Sequence, residues 1–315
     1  MTPEQSSQIS VVDPLSPAFE RVKIILFRPF DLGKWFVIGF CAWLANLGEA
    51  GGGGGGPNFR TGGDPQHAFH EARHFFVENM AWIIPVVIFG ALIVIGLWLL
   101  FTWLSSRGRF MFLHCVAQNK AEVKVPWHRF REHGNSLFVF RIVVGLIAFA
   151  AFAIPVILFV IFVASLAAGG APEVGAILGL VLAGLCFVAL AIVFWIVGRF
   201  TTDFVVPLMF LRTKKCVAAW REFLAVLTEN KGRFTLYLLF RIVIGIAVTA
   251  IIFGAGCGTC CCAFCILAIP YIGTVLLLPI LVFERSYSLF YLRQYGLQFD
   301  VFSPEAEVVE SPPLP

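Results

Sequence analysis

Six apolar stretches, separated by polar segments, dominate the pattern along the chain. Most are long enough to cross a hydrocarbon layer of about 30 Å, which takes roughly 20 helical residues. The alternation typical of a membrane β-barrel is absent, and a lipid-exposed backbone must satisfy its own hydrogen bonds, so each stretch is predicted to be helical. The six predicted spans are Lys34–Leu47, Ala81–Leu104, Leu137–Ala168, Val174–Val197, Phe234–Gly256 and Cys262–Phe283.

The pattern predicts an all-α integral membrane bundle of about six transmembrane helices. Its first span is short, and the apolar segment Ile24–Phe30 upstream could extend it as a tilted or broken helix. Residues 18–300 are expected to form one transmembrane domain, between disordered termini at residues 1–17 and 301–315. The outer loop 48–80 contains the glycine run Gly51–Gly56, which lacks the Gly-Lys-Ser/Thr ending of a nucleotide loop and is predicted to be a flexible linker.

Composition supports the membrane class. Of the 315 residues, 59% are hydrophobic and only 13% are charged, whereas a soluble domain carries about 25% charge. A soluble globular enzyme is therefore excluded. The formal net charge of +4 is too small to indicate a nucleic-acid partner.

The basic residues are distributed unevenly. Of the 23 lysines and arginines, 19 lie in the N-terminal segment, in two segments predicted to be long loops, Ser105–Ser136 and Gly198–Arg233, or after Phe283. Cytoplasmic segments of membrane proteins carry such an excess. Both termini and both basic loops are therefore predicted to be cytoplasmic, with the loop 48–80 outside.

Short segments recur along the chain. Phe140–Gly145 matches Phe240–Gly245 at an offset of 100, and an aromatic and basic segment precedes each of them. The repeated unit is interpreted as a cytoplasmic interfacial helix, a span, an outer turn and a returning span, used three times. Tryptophan and phenylalanine interleaved with arginine suit the headgroup zone of a membrane.

A cysteine cluster and three histidines are candidates for metal binding. Two interlocked C-x-x-C pairs crowd into one turn, closer together than in zinc ribbons, so tight packing, one disulfide and a metal or redox site all remain open. Three histidines at helical spacing could bind metal or could belong to an amphipathic segment before the second span. These candidates are Cys257, Cys260, Cys261, Cys262, Cys265, His67, His70 and His74.

Ionisable residues beside the spans are candidates for a lipid headgroup or substrate site, because burying charge in a membrane is expensive. All are predicted to lie at cytoplasmic span ends, where they could equally be snorkelling anchors. Asp203 is four residues after Arg199 and can pair with it on one helical face. The candidates are Arg141, Arg199, Asp203, Arg241 and Glu284.

A resemblance to known proteins covers most of Phe19–Asp300. It is based on the repeated hairpins and on the segments Ile269–Thr274 and Ser286–Gly296. The chain resembles uncharacterised bacterial multi-pass proteins related to the membrane domain fused to glycerophosphodiester phosphodiesterases. It has no counterpart of their catalytic barrel, so the resemblance implies a bacterial inner-membrane protein without that activity.

The sequence shows no recognisable set of catalytic residues, and this favours a non-enzymatic membrane module that organises lipids or binds partner proteins. A transporter or lipid-translocating protein is the alternative, since such proteins contain internal repeats. A membrane enzyme would need the histidine loop or the cysteine turn to supply its polar groups. Expected partners are membrane lipids and a protein partner or a second copy of the chain; no cofactor is expected.

Overall fold

The computed structural model describes residues 9–47, 80–167, 174–259 and 262–302. Every regular element in these ranges is helical, which confirms the all-α prediction. In chain order, the α-helices are α1 Leu15–Val22, α2 Leu32–Ala45, α3 Met80–Gln118, α4 Lys124–Arg129, α5 Arg131–Ala167, α6 Val174–Phe200, α7 Val206–Arg212, α8 Cys216–Glu229, α9 Lys231–Gly258, α10 Cys262–Leu267, α11 Pro270–Leu276 and α12 Leu278–Arg293. The π-helical segments Lys23–Phe27 and Thr201–Val205 and the 3-10 helix Leu297–Phe299 complete the described elements.

Several helices are long and apolar enough to cross a membrane. Four such segments lie in the described ranges: Met80–Gln118, Arg131–Ala164, Ile177–Arg212 and Lys231–Gly258. Together, α11 and α12 would form a fifth span that bends by 63° at a short break. The described part therefore contains four helices that could span a membrane, or five if the bent pair is one span, and this number suggests a multi-pass membrane protein.

The first predicted span is too short to cross alone. At 14 residues, α2 is about 21 Å long, less than the hydrocarbon thickness of about 30 Å. Ser105 Oγ donates to the Ala45 carbonyl oxygen at 2.7 Å, and Lys34 Nζ donates to Asn119 Oδ1 at 2.7 Å. Accordingly, α2 lies along the last part of α3 and not along its apolar part.

The sixth apolar stretch is divided into three helices. Pro270 opens α11 at a position where its missing N–H group does not matter, and it cannot continue a preceding helix. A second interruption follows at Leu277, between α11 and α12. The sequence pattern located the apolar residues correctly but did not predict these breaks.

The two segments predicted to be long basic loops are mostly helical. After Leu104, α3 continues to Gln118, and α6 continues through the π-helical segment into α7. The prediction of loops is therefore wrong there. Ser105–Gln118 contains no proline, and its only glycine is Gly108, so nothing in it ends the helix.

The long helices have two different surroundings. The apolar first part of α3 is exposed, whereas every residue from Ser105 to Ala117 is buried. The exposed part matches the requirements of a lipid-facing surface, whose solvent is hydrocarbon. The buried part packs with α2, α7 and α12 in a core at one end of the molecule. The candidate charged residues lie where these two regions meet.

Residues 9–17, which the sequence analysis assigns to a disordered terminus, pack against α12. The Ser10 amide donates to Gln294 Oε1 at 2.8 Å, and Gln294 Nε2 donates back to the Ser10 carbonyl oxygen at 2.9 Å. Tyr287 donates its hydroxyl to the Val11 carbonyl oxygen at 2.9 Å. The domain boundary at residue 18 is therefore too late, and both described ends of the chain lie at the same end of the molecule.

Candidate functional site

A cavity of about 440 Å³ opens where the buried core meets the exposed apolar helices. Residues from the end of α2, from α3, α5, α6, the π-helical segment, α9 and α12 line it. Among the described residues, five arginines and two carboxylates contribute to its wall. These charged residues are Arg109, Arg141, Arg199, Asp203, Arg241, Glu284 and Arg285.

Two carboxylates and two arginines form an ion-pair network in the wall. Arg199 Nε lies 3.2 Å from Asp203 Oδ2, and Arg241 Nη2 lies 2.9 Å from Glu284 Oε2. The cross pairs are longer, at 3.9 Å between Arg199 and Glu284 and 4.0 Å between Arg241 and Asp203. Buried Tyr237 donates its hydroxyl to Asp203 Oδ2 at 2.9 Å. The predicted pairing of Arg199 with Asp203 is confirmed, and Glu284 and Arg241 join it.

The π-helical segment Thr201–Val205 supplies a second anchoring point. Arg109 Nη1 donates to Thr202 Oγ1 at 2.5 Å, and Arg285 Nη1 donates to the Thr202 carbonyl oxygen at 2.6 Å. A π-bulge widens the helix by one residue and disturbs the regular i to i−4 ladder, which makes such a carbonyl accessible to a side chain. One residue of the bulge thus positions arginines from α3 and α12.

Arg141 and Arg241 occupy corresponding places in their helices. Each lies ten residues after the first residue of its helix, and both line the cavity. Arg141 Nη1 donates to Ser105 Oγ at 3.0 Å, whereas Arg241 pairs with Glu284. The sequence match at offset 100 therefore corresponds to two arginines at one site, held by different partners.

Two guanidinium groups in the wall carry buried N–H groups that the described residues leave without a hydrogen-bond acceptor. Arg241 is 5% exposed and Arg285 is 6% exposed. Arg241 Nη1 and Nε, and Arg285 Nε and Nη2, have no acceptor within the part of the chain that the structure describes. A buried donor without an acceptor costs about 1–3 kcal/mol, and more when it is charged. The cavity is therefore suited to a ligand that accepts several hydrogen bonds and carries negative charge.

The structure brings together all five predicted ionisable candidates, Arg141, Arg199, Asp203, Arg241 and Glu284. Five of the eight predicted metal and disulfide candidates lie outside the described residues: His67, His70, His74, Cys260 and Cys261. The glycine run that is predicted to be a flexible linker also lies outside them.

Cys257 and Cys265 are exposed free thiols near the ends of α9 and α10, and Cys262 begins α10. Among the described residues, no three His, Cys, Asp or Glu side chains gather in a group that could hold a metal. Burial raises the pKa of the Cys216 thiol in α8 to about 12, so this side chain stays protonated at neutral pH.

Sequence reasoning missed two arginines of the site, Arg109 and Arg285. Arg109 lies in a segment that the sequence pattern predicts to be a loop, and its place in the wall depends on the continuation of α3 beyond Leu104. Arg285 follows the candidate Glu284 directly, and this adjacent pair after an apolar run was the available signal. The short Ser105-Ser106 sequence before Arg107 and Gly108 indicates close helix packing, which would also have favoured a buried helix over a loop.

Fold and site together define an all-helical protein with four or five helices that could span a membrane and an arginine-lined cavity at the edge of its exposed apolar surface. The chain belongs to the family of unknown function DUF7544, whose profile matches residues 9–279. No curated protein and no solved structure matches the chain. No comparison supports the resemblance to the membrane domain of glycerophosphodiester phosphodiesterases.

Proposed function

We propose that this protein is a non-enzymatic membrane module that holds the anionic headgroup of a lipid in its arginine-lined cavity. The observation that carries the proposal is the pair of buried guanidinium groups, Arg241 and Arg285, whose remaining N–H groups lack acceptors among the described residues. A phosphate group can accept two parallel hydrogen bonds from one guanidinium. It would satisfy these donors and offset their charge in one step.

The surroundings of the cavity favour a headgroup over catalysis. Its wall contains the apolar side chains of Phe194, Trp195 and Val197 beside the arginines, as a site at a membrane interface requires. Both carboxylates are already paired with arginines. An acid–base mechanism would need one of them poised to exchange a proton, whereas binding does not.

We expect the loss of one arginine to weaken the retention of anionic lipid. In Arg285→Gln, the side chain loses its charge and its planar pair of donors, and each charge-assisted hydrogen bond contributes about 1.5–3 kcal/mol. Binding of phosphatidylglycerol should therefore fall by about tenfold or more, since 1.4 kcal/mol corresponds to a factor of ten. Native mass spectrometry of the protein released from nanodiscs measures this retention directly.

The matched control for that experiment is Arg293→Gln. Arg293 lies at the exposed end of the same helix and pairs with Asp300 at 3.1 Å, outside the cavity. Phosphatidylcholine and free inorganic phosphate serve as comparison ligands, to separate a charged lipid headgroup from a zwitterionic lipid and from a soluble anion. Equal retention of phosphatidylglycerol by both variants would contradict the proposal.

We also propose that the core end of the molecule faces the cytoplasm of a bacterial inner membrane. Helices α4 and α8, each of which carries a tryptophan close to an arginine, lie at this end and precede α5 and α9, as expected for interfacial helices. Trp127 of α4 contacts Arg107, whose guanidinium carbon is 4.9 Å from the ring centroid, and Trp220 of α8 stacks on Phe140. Six crossings in three hairpins would require the chain to cross the membrane once between Leu32 and Met80. The only helix that the structure describes between these residues is α2, which is too short to cross alone.

Reporter fusions test this orientation. A phosphatase or fluorescent reporter placed after Pro65 should report the outer side, and one placed after Asn119 should report the cytoplasmic side, because the basic residues cluster around the second position. Fusions near the two termini should behave like the fusion after Asn119. Activity of the same reporter at both internal positions would show that the orientation is wrong.

Lipid translocation is the second candidate function. The observation in its favour is that the cavity adjoins two interrupted helices, the bent pair α11 and α12 and the segment α6 with its π-helical turn. Transporters build their substrate sites from discontinuous helices. Scrambling of a fluorescent phosphatidylglycerol in proteoliposomes, and its loss in Arg285→Gln, would favour translocation over static binding.

A further inference from the structure

An apolar groove continues directly from the charged cavity. The groove has a volume of about 680 Å³ and runs along α9. It shares four wall residues with the cavity: Trp195, Arg199, Arg241 and Glu284. A ligand held by the arginines can therefore extend into the groove without leaving the surface of the protein.

One face of α9 forms the wall of this groove. The residues that line it recur at the spacing of one helical face, and they are Ile242, Gly245, Ile246, Thr249, Ala250 and Phe253. The single hydroxyl among them, on Thr249, donates to the Gly245 carbonyl oxygen of the same helix at 2.8 Å. Ile246 is 64% exposed and Phe253 is 63% exposed. The groove thus offers an apolar surface with its polar group already satisfied.

The length of the groove matches one leaflet of a membrane. From Arg241 to Phe253, α9 rises about 18 Å, and half of a hydrocarbon core measures about 15 Å. The charged end of the groove lies at the cavity and its apolar end lies along the lipid-facing part of α9. This is the polarity of an anionic lipid, with its head at the interface and its chain in the hydrocarbon.

Gly245 creates space in the middle of the groove. A Cβ atom added at Gly245 would meet no other atom within 4 Å. The same holds for Gly254, further along α9, which is not part of the groove wall. A larger side chain at Gly245 would therefore occupy the groove without displacing neighbours, and Gly254 provides a control in the same helix.

We infer that the ligand is a membrane-resident anionic lipid, bound with its phosphate-bearing head among the arginines and one acyl chain in the α9 groove. The inference rests on the proposed headgroup site and adds the second half of the ligand. A soluble anion would use the cavity alone, whereas this ligand enters sideways from the bilayer. Recognition then depends on the chain as well as on the head.

The test compares Gly245→Leu with Gly254→Leu. Gly245→Leu should lower the retention of phosphatidylglycerol several-fold, because leucine fills the space of the acyl chain, and it should leave the binding of water-soluble glycerol phosphate unchanged. Gly254→Leu should leave both unchanged, and Arg285→Gln should lower both. If Gly245→Leu and Gly254→Leu retain the lipid equally while Arg285→Gln does not, the acyl groove is refuted and the headgroup site stands. If Arg285→Gln also retains it, the proposed function itself fails.

A measurement on the unaltered protein covers the case in which a variant does not fold. Phosphatidylglycerol with a photoactivatable group in its acyl chain should crosslink mainly to residues 242–253 of α9. Phosphatidylcholine with the same group should label the exposed apolar helices without this preference. Equal labelling patterns from the two lipids would overturn the inference.

Discussion

Replacing Asp203 by alanine is expected to destabilise the protein by about 3–5 kcal/mol, the usual effect of removing one partner from a buried ion pair. Asp203 is 3% exposed and accepts from Tyr237 while it pairs with Arg199. Without it, the Tyr237 hydroxyl loses its acceptor and the guanidinium groups of Arg199 and Arg241 lose a neighbouring negative charge. Equilibrium unfolding in mixed micelles measures the change in unfolding free energy.

Glu222→Ala is the control for this prediction. Glu222 also contacts two cations, with Arg212 Nη2 and Lys214 Nζ each 3.0 Å from one of its oxygens, but the side chains of this cluster are partly exposed. Exposed ion pairs contribute about 0–1 kcal/mol. If Asp203→Ala lowers the unfolding free energy no more than Glu222→Ala does, the ion-pair network in the cavity wall is not buried as expected.

Gly108→Ala is expected to destabilise the protein although alanine is the better helix former. A Cβ atom at Gly108 would lie 2.5 Å from the Ala45 nitrogen and 2.5 Å from the Leu44 carbonyl carbon. Both are backbone atoms of α2, so α2 must move away from α3, and overpacking of this kind costs about 1–3 kcal/mol or more. The same movement would disturb Ala45, which lines the cavity.

The contrasting substitution is Gly96→Ala in the same helix. A Cβ atom at Gly96 would meet nothing within 4 Å. Helix propensity alone favours alanine over glycine by about 1 kcal/mol, so this variant should be as stable as the original protein or slightly more stable. If unfolding in mixed micelles shows Gly108→Ala to be as stable as Gly96→Ala, then α2 does not pack closely on α3.

The sequence predicted those features that depend on hydrocarbon thickness or helical spacing. The long apolar runs located α3, α5, α6 and α9, because crossing a membrane demands continuous apolar residues. The four-residue spacing predicted the pairing of Arg199 with Asp203. Neither depends on contacts between distant parts of the chain.

Features set by contacts between distant segments were not predictable in this way. The position of α2 beside the end of α3 depends on contacts such as that between Ser105 and Ala45, which hydropathy does not encode. The wall position of Arg109 follows from its contact with Thr202, 93 residues later in the chain. A neighbouring pair of cysteines was missed for the same reason: the sulfur atoms of Cys41 and Cys115 lie 3.8 Å apart in the buried core.

The charged network is complete only after α12 has been synthesised and inserted, because α12 carries Glu284. Glu284, the partner of Arg241, lies in α12, which is synthesised after the other described elements that line the cavity. Until that helix inserts, Arg241 lacks the carboxylate that lies 2.9 Å from its Nη2 atom in the folded protein. Charges of this kind are expensive inside a bilayer and stay near its surface. Assembly of the charged network is therefore a late step, and a chain truncated before α12 would leave Arg241 with Asp203, 4.0 Å away, in place of its closer partner Glu284.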